Sequence, residues 1–212
     1  MERYVSDVME IEKIPKAMRD TVCEEMQHGV EVSNLAVLIA KELNEKEEFC
    51  RNIEIAGILM KYLYSQDGLI VEQMKYVRQH TAQSYEMMRD AGYDEILANA
   101  VFHHHENFDG SGYPDNLRGE DIPYMARILR VCDVFIALTS KRVYRNAFDP
   151  KSALEIMIDE VGDYDMHVFL AFQRVVHRDV FQEGIASLKE IRDERQLEPL
   201  KLFVKEMQHT GN

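Results

Sequence analysis

No apolar run in this 212-residue chain approaches the roughly 20 residues that a bilayer span requires, and the first twenty residues are charged throughout. Neither a transmembrane helix nor a secretory signal is therefore expected, and the reading is a cytoplasmic protein. Cysteine is scarce: Cys23, Cys50 and Cys132 are far apart and set in helical apolar patterns, which predicts buried reduced thiols rather than a disulfide or zinc framework. Cations are in deficit, with 25 Lys and Arg against 38 Asp and Glu, a formal charge of -13. Polymeric nucleic acid and anionic membrane both need a basic surface, so this balance excludes them as partners. An acidic chain that handles an anionic ligand must instead supply cations locally, as metal ions or as a small Arg/Lys cluster. Strand-like alternation is missing as well, and so is any internal repeat.

What is present is helical period. Hydrophobic residues make up 46% and charged residues 30%, which is globular composition, and the length allows a core without staples. Apolar residues recur three or four apart, as in Val22, Met26, Val30, Leu35, Leu38 and Ile39. Pro15 suits the start of a helix running to about Leu43, and a second is expected from Glu45 to Tyr64. Asp67-Gly68 breaks the pattern before helices over 71–79, 82–91 with Gly92 as its stop, and 94–105. Pro123 opens a helix to about Ser140, and Asp149-Pro150 caps another that ends near Gly162. The expected fold class is all-α. Its parts are an N-terminal segment (1–20), one helical bundle domain (21–177) and a charged C-terminal helical extension (178–212) that reads as an outer helix or a partner-binding arm.

Several side chains in this frame carry chemistry. Glu24 and His28 are four apart, which puts both on one helical face, as a pair of metal ligands requires. His103, His104 and His105 close a helix just before a glycine loop. Consecutive helical residues point about 100° apart, so two of these three can share a target but not all of them. Asp133 sits in Ile128-Leu129-Arg130-Val131-Cys132-Asp133-Val134-Phe135, apolar over most of the helix circumference, and a carboxylate buried there must be paired or bind metal. Arg130, three residues away, is an alternative partner for it. His80 stands at a break between helical patterns, where a satisfied core or cap residue is the alternative to a ligand. Imidazoles and carboxylates without a cysteine pair favour catalytic iron, manganese or zinc over structural zinc, and magnesium alone would not need so many histidines.

The run His103 to Pro114, HHHENFDGSGYP, followed by DIPYMARILRVCDVFIALTSKRVYR, resembles the HD-GYP family, a branch of the HD superfamily of metal-dependent phosphohydrolases. The resemblance extends from about Glu24 to about Val176. It implies an all-helical fold, hydrolysis of the second messenger cyclic di-GMP, and two or three metal ions, often iron or manganese. By the same resemblance Glu24, His28, His80, His104, His105 and Asp133 correspond to metal ligands. Tyr113 corresponds to the GYP tyrosine beside the site, and Arg142 and Arg145 to basic positions that meet ligand phosphates. His103 is left as a bystander.

The chain departs from the family at its defining His-Asp pair, where Met60 and Lys61 stand in the stretch Ala56 to Tyr64. Tyr64 also replaces the family's lysine three residues after the Asp, and the stretch from Met60 to His80 is short. In the family that aspartate bridges two metals, so its loss should weaken a dinuclear centre. A thioether binds hard or borderline divalent metals poorly, and an ammonium repels them. Three outcomes stay open: a reduced, mononuclear site on His80, His104, His105 and Asp133; no metal, with Lys61 paired to Asp133 or Glu24; or Lys61 extended to solvent. The expectation is a degenerate domain with a partial metal site and a cyclic di-GMP pocket, serving as a regulatory or binding module, alone or as a homodimer, toward a protein partner. The alternative is an active metal-dependent phosphodiesterase.

Overall fold

Seven helices account for most of the described residues in a computed structural model that describes residues 16–60, 80–141, 145–192 and 194–201. They are α1 (Lys16–Glu42), α2 (Glu47–Leu59), α3 (His80–Asp90), α4 (Glu95–Phe102), α5 (Tyr124–Thr139), α6 (Pro150–Asp159) and α7 (Met166–Val175). No strand forms among the described residues, and no helix there is long and apolar enough to cross a membrane. The all-α class stands. The helix expected over 71–79 lies outside the described residues, as do Lys61, Asp67 and Arg142.

α1 is the axis of the bundle, about 40 Å long at its 27 residues, and α2, α5 and α7 all pack on it. Its end is set by Asn44, which takes the left-handed conformation (φ 60°) that an amide side chain tolerates. This lets Glu45 N–H reach back to the Ala40 carbonyl at 2.9 Å, a Schellman closure that consumes Glu45 and delays α2 to Glu47. Gly92 (φ 80°) ends α3 in the same way, with Tyr93 N–H on the Met88 carbonyl. Asp94, Asp149 and Asp165 cap α4, α6 and α7 by accepting from backbone N–H groups of the first turns.

The α1/α2 crossing is close because both helices present glycine. A Cβ on Gly29 would lie 2.6 Å from the Ile58 carbonyl oxygen, and one on Gly57 would lie 2.8 Å from Ser33 Cα. Around this crossing one continuous core gathers Met26, Leu35, Ile39, Ile53, Ile58, Met60, Phe135 and Phe172, all fully buried. Burying side chains of this size contributes about 1.5–3 kcal/mol each. All three cysteines are free thiols, with Cys50 and Cys132 buried and Cys23 half-buried.

Two expectations change. The helix expected to end at His105 stops at Phe102, because His103 Nδ1 and His104 Nδ1 bond the Asn99 and Val101 carbonyls (2.9 and 2.6 Å) at its end. The C-terminal extension is not a free outer helix in its described part. After α7 it breaks into a π turn (Val176–Val180), one helical turn and a 3-10 turn (Ile185–Lys189) that lies against α1. Leu188 and Leu200 are fully buried there, and Asn34 of α1 donates its amide to the Leu188 and Glu190 carbonyls.

Candidate metal centre

Two helix ends and two helix middles build the site. His80 opens α3, His104 and His105 follow α4 in a turn, and His28 and Asp133 project from the middles of α1 and α5. His80 Nε2 lies 3.3 Å from His104 Nε2 and 3.1 Å from His105 Nε2. All three side chains offer one ligand atom within 4.8 Å of each other. His28 Nε2 donates to Asp133 Oδ1 at 2.8 Å, and Asp133 Oδ2 stands 3.8 Å from His105 Nδ1. Five of the six residues expected as ligands are thus one connected, largely buried group. Glu24, one turn before His28 on α1, is exposed.

The hydrogen bonds fix part of the proton inventory. Carbonyls only accept, so His104 Nδ1 carries the proton toward Val101, and its Nε2 turns a lone pair to the cluster when the ring is neutral. His80 Nε2 faces both other histidines but has at most one proton to give. Three ring nitrogens crowded at 3.1–3.3 Å therefore compete for protons, whereas a cation among them would accept all three lone pairs. The donor set suits a borderline divalent metal. Cys132 does not join it: burial, with the Asp133 charge adding, pushes its thiol well up, so it stays protonated.

The glycine loop orients His105. Tyr113 stacks on its ring at 4.8 Å between centroids and 23° between planes, and Tyr113 N–H donates to the His105 carbonyl. The loop can double back this tightly only because residue 112 is glycine; a Cβ there would sit 2.5 Å from Glu106 Cα and the His105 carbonyl oxygen, and nearer still to Asn107 N. Glu106, almost fully buried, accepts the Asp115 N–H at 2.7 Å and clamps the far side of the loop. Asn107 accepts from Arg130 Nε at 2.9 Å, and Arg130 also reaches Asp163 at 3.9 Å. Arg130 therefore bonds this loop rather than Asp133. Sequence reasoning missed Glu106 and Asn107, and read Gly112 only as part of the glycine loop that follows the helix; the polar pair directly after the histidines was the available signal.

Other expected residues fall elsewhere. His103 bonds the Asn99 carbonyl and Asp115 (3.1 Å) at the rim. Arg145 donates to the Ala137, Leu138 and Asn146 carbonyls and lies over the Phe148 ring, so its guanidinium closes the C-terminal end of α5. Met60, fully buried in the core, ends α2, and its carbonyl accepts from Ser84 of α3 at 3.4 Å.

The comparisons with known proteins agree with this architecture. The sequence profile of the HD domain matches residues 12–168. Cyclic di-GMP phosphodiesterase PA4108 of Pseudomonas aeruginosa is 30% identical over 159 residues, covering 70% of this chain and 38% of that protein. The cyclic di-GMP phosphodiesterase response regulator RpfG of Xanthomonas campestris is 35% identical over 142 residues (62% and 38%). The 3'3'-cGAMP-specific phosphodiesterase 1 of Vibrio cholerae is 29% identical over 154 residues (68% and 36%). The chain thus spans under half the length of these curated relatives. Among solved structures, a cyclic GMP-AMP-specific phosphodiesterase of V. cholerae superposes with a TM-score of 0.64 at 15% identity, covering 86% of this chain and 54% of that one. An HDG"Y"P protein from Bdellovibrio bacteriovorus gives 0.58 at 19% identity (72% and 52%). The profile match, the relatives and the shared fold together mean that this chain belongs to the HD domain family and is of HD-GYP type.

Proposed function

We propose that this domain is a degenerate HD-GYP domain, a cytoplasmic module that binds one divalent metal and cyclic di-GMP with little or no hydrolysis and passes its state to a protein partner. The observation that carries this reading is the largely buried trio His80, His104 and His105, retained in a chain whose fully buried Met60 stands where the family has an oxygen or nitrogen ligand. The trio would hold iron or manganese, with zinc as the chemical alternative, and a bound metal would supply Lewis-acid charge for a phosphate oxygen. Asp133 lies behind His105 and is engaged by His28, which suits a group that orients a ligand ring as well as one that ligates. Met60 offers no bridging oxygen, and Lys61, next in sequence, brings a cation where the family has its aspartate.

Elemental analysis of purified protein, with calorimetric titration of cyclic di-GMP, tests the proposal. The expected result is about one metal per chain, nucleotide binding and no linear dinucleotide product; protein that binds neither metal nor nucleotide overturns it. The intact glycine loop and the phosphodiesterase relatives favour one second reading, an active enzyme on the remaining ligands. Turnover with iron or manganese under reducing conditions, abolished by His104→Ala, establishes that reading instead.

A further inference from the structure

α7 and the π turn after it bury one side against the core, through Val168, Phe169, Phe172, Val175 and Val176, and turn the other to solvent. On that outer side Met166, Leu170, His177 and Phe181 are exposed and Gln173 is half-buried, so a stripe of large or neutral side chains recurs every three or four residues over about 24 Å. The stripe continues across the π turn, where the Phe181 ring meets His177 edge to face at 4.9 Å between centroids. Of the six large apolar side chains exposed among the described residues, Ile96, Phe148 and Ile158 belong to three other segments, whereas Met166, Leu170 and Phe181 share this one stripe. Apolar side chains exposed singly are ordinary, but a stripe marks a surface that another body covers. Its charges are balanced. Met166 to Arg178 contains no carboxylate, Glu183 follows only beyond Phe181, and the two arginines are held by Glu42 of α1 and by Asp179: Arg174 meets Glu42 at 2.6 Å, and Arg178 meets Glu42 at 2.8 Å and Asp179 at 3.0 Å.

We propose that this stripe docks on the same stripe of a second copy of the chain, as an antiparallel helix pair with its two-fold axis between Gln173 and Arg174. An isologous contact requires a surface that complements itself. This one does: counted from that axis Leu170 and His177 are equidistant, and so are Met166 and Phe181, with polar residues in the middle and large apolar ones at both ends. In that register Phe181 covers the partner's Met166, a favourable thioether and ring pairing, and Leu170 lies on the partner's His177. An open groove of about 650 Å³, lined by Leu170, Gln173, Arg174, His177 and Arg178, surrounds the axis and receives the partner's stripe. Charge favours a second copy as well. Two chains of formal charge -13 repel each other across acidic faces, and this face offers paired arginines and no carboxylate from Met166 to Arg178. A strongly charged partner gains little here, because the arginines already hold carboxylates. A face about 24 Å long and 10–12 Å wide falls short of the roughly 800 Å² per partner of a standard stable interface, so the dimer is a weak, concentration-dependent one.

The test is sedimentation velocity and light scattering on the full chain from low-micromolar to near-millimolar concentration. A monomer–dimer equilibrium is expected. Leu170→Glu should raise its dissociation constant about tenfold or more, since it sets a charge against the partner's surface. His177→Lys should weaken association too, and the two substitutions combined should recover it, because the new carboxylate and ammonium meet across the axis only in the antiparallel register. Both positions are exposed, so circular dichroism should show native folding in every variant. A chain that stays monomeric throughout overturns the proposal, and a lowered Tm of that monomer in Leu170→Glu assigns the stripe to contacts within its own chain. A Leu170→Glu dimer of native affinity also overturns it, as do single variants that dissociate without recovery in combination.

Discussion

Asn34→Ala provides a quantitative probe of how the C-terminal segment is held. Asn34 is almost fully buried and makes three hydrogen bonds, to the Leu188 and Glu190 carbonyls at 2.8 Å each and from Gln196 at 3.0 Å. The Glu190 end is only partly buried, so water can replace that bond. The Leu188 carbonyl and the Gln196 amide, both buried, lose a partner with no substitute. At about 1.5 kcal/mol for each stranded group, the loss is about 3 kcal/mol. For a domain of this size 1 kcal/mol moves Tm by about 2–4 °C, so a drop of about 6–12 °C is expected by circular dichroism. Limited proteolysis should show earlier cleavage after about residue 184, and a double-mutant cycle with Gln196→Ala should give a coupling of about 1 kcal/mol. A drop under about 2 °C with an unchanged proteolytic pattern would refute the assignment of this network as the latch.

Gly112→Ala should cost about 3 kcal/mol, because the added Cβ meets backbone rather than a movable side chain. The displaced loop should also release Tyr113 from His105 and lower the metal retained after dialysis; urea unfolding and elemental analysis report the two effects. Met60→Ala, in a fully buried site, should cost about 3 kcal/mol by chemical denaturation. Glu42→Gln should remove a pH-dependent contribution. Hydrogen bonds from Arg178 and Arg174 hold the Glu42 carboxyl below its usual value, so its stabilisation is present above about pH 4.3 and lost as pH falls through the lower folded value. Melting curves of the native and variant proteins should differ at pH 7 and converge under acid conditions, and parallel curves across that range would contradict the assignment.

Legibility in the sequence followed the range of the physics involved. Asp149-Pro150 and Gly92 were readable as a cap and a stop because capping depends on neighbours within one turn. The end of α4 was misread, since it depends on imidazoles bonding carbonyls at the end of that helix, which periodicity does not report. The cluster was legible through the family resemblance, not through local pattern: HHHENFDGSGYP marked His104 and His105, but nothing local said that His80, 24 residues earlier, would lie 3.3 Å away. In the 178–212 extension, composition predicts an outer helix or a partner-binding arm but not the 3-10 turn that docks on α1, because a charged surface stripe and a segment docked through buried polar bonds have similar composition.

The sequence by itself determined the helical class, the Asp149 cap, the Gly92 stop, the net acidic charge and the replacement of His-Asp by Met60-Lys61, since each rests on residue type or on neighbours along the chain. Only the tertiary structure decided that Asp133 pairs with His28, that Arg130 braces the glycine loop and that Arg145 closes a helix. Each of those side chains had several partners within reach along the sequence. The crossing of α1 with α2, brought close by Gly29 and Gly57, and the packing of α5 on α1 selected among them by distance and burial.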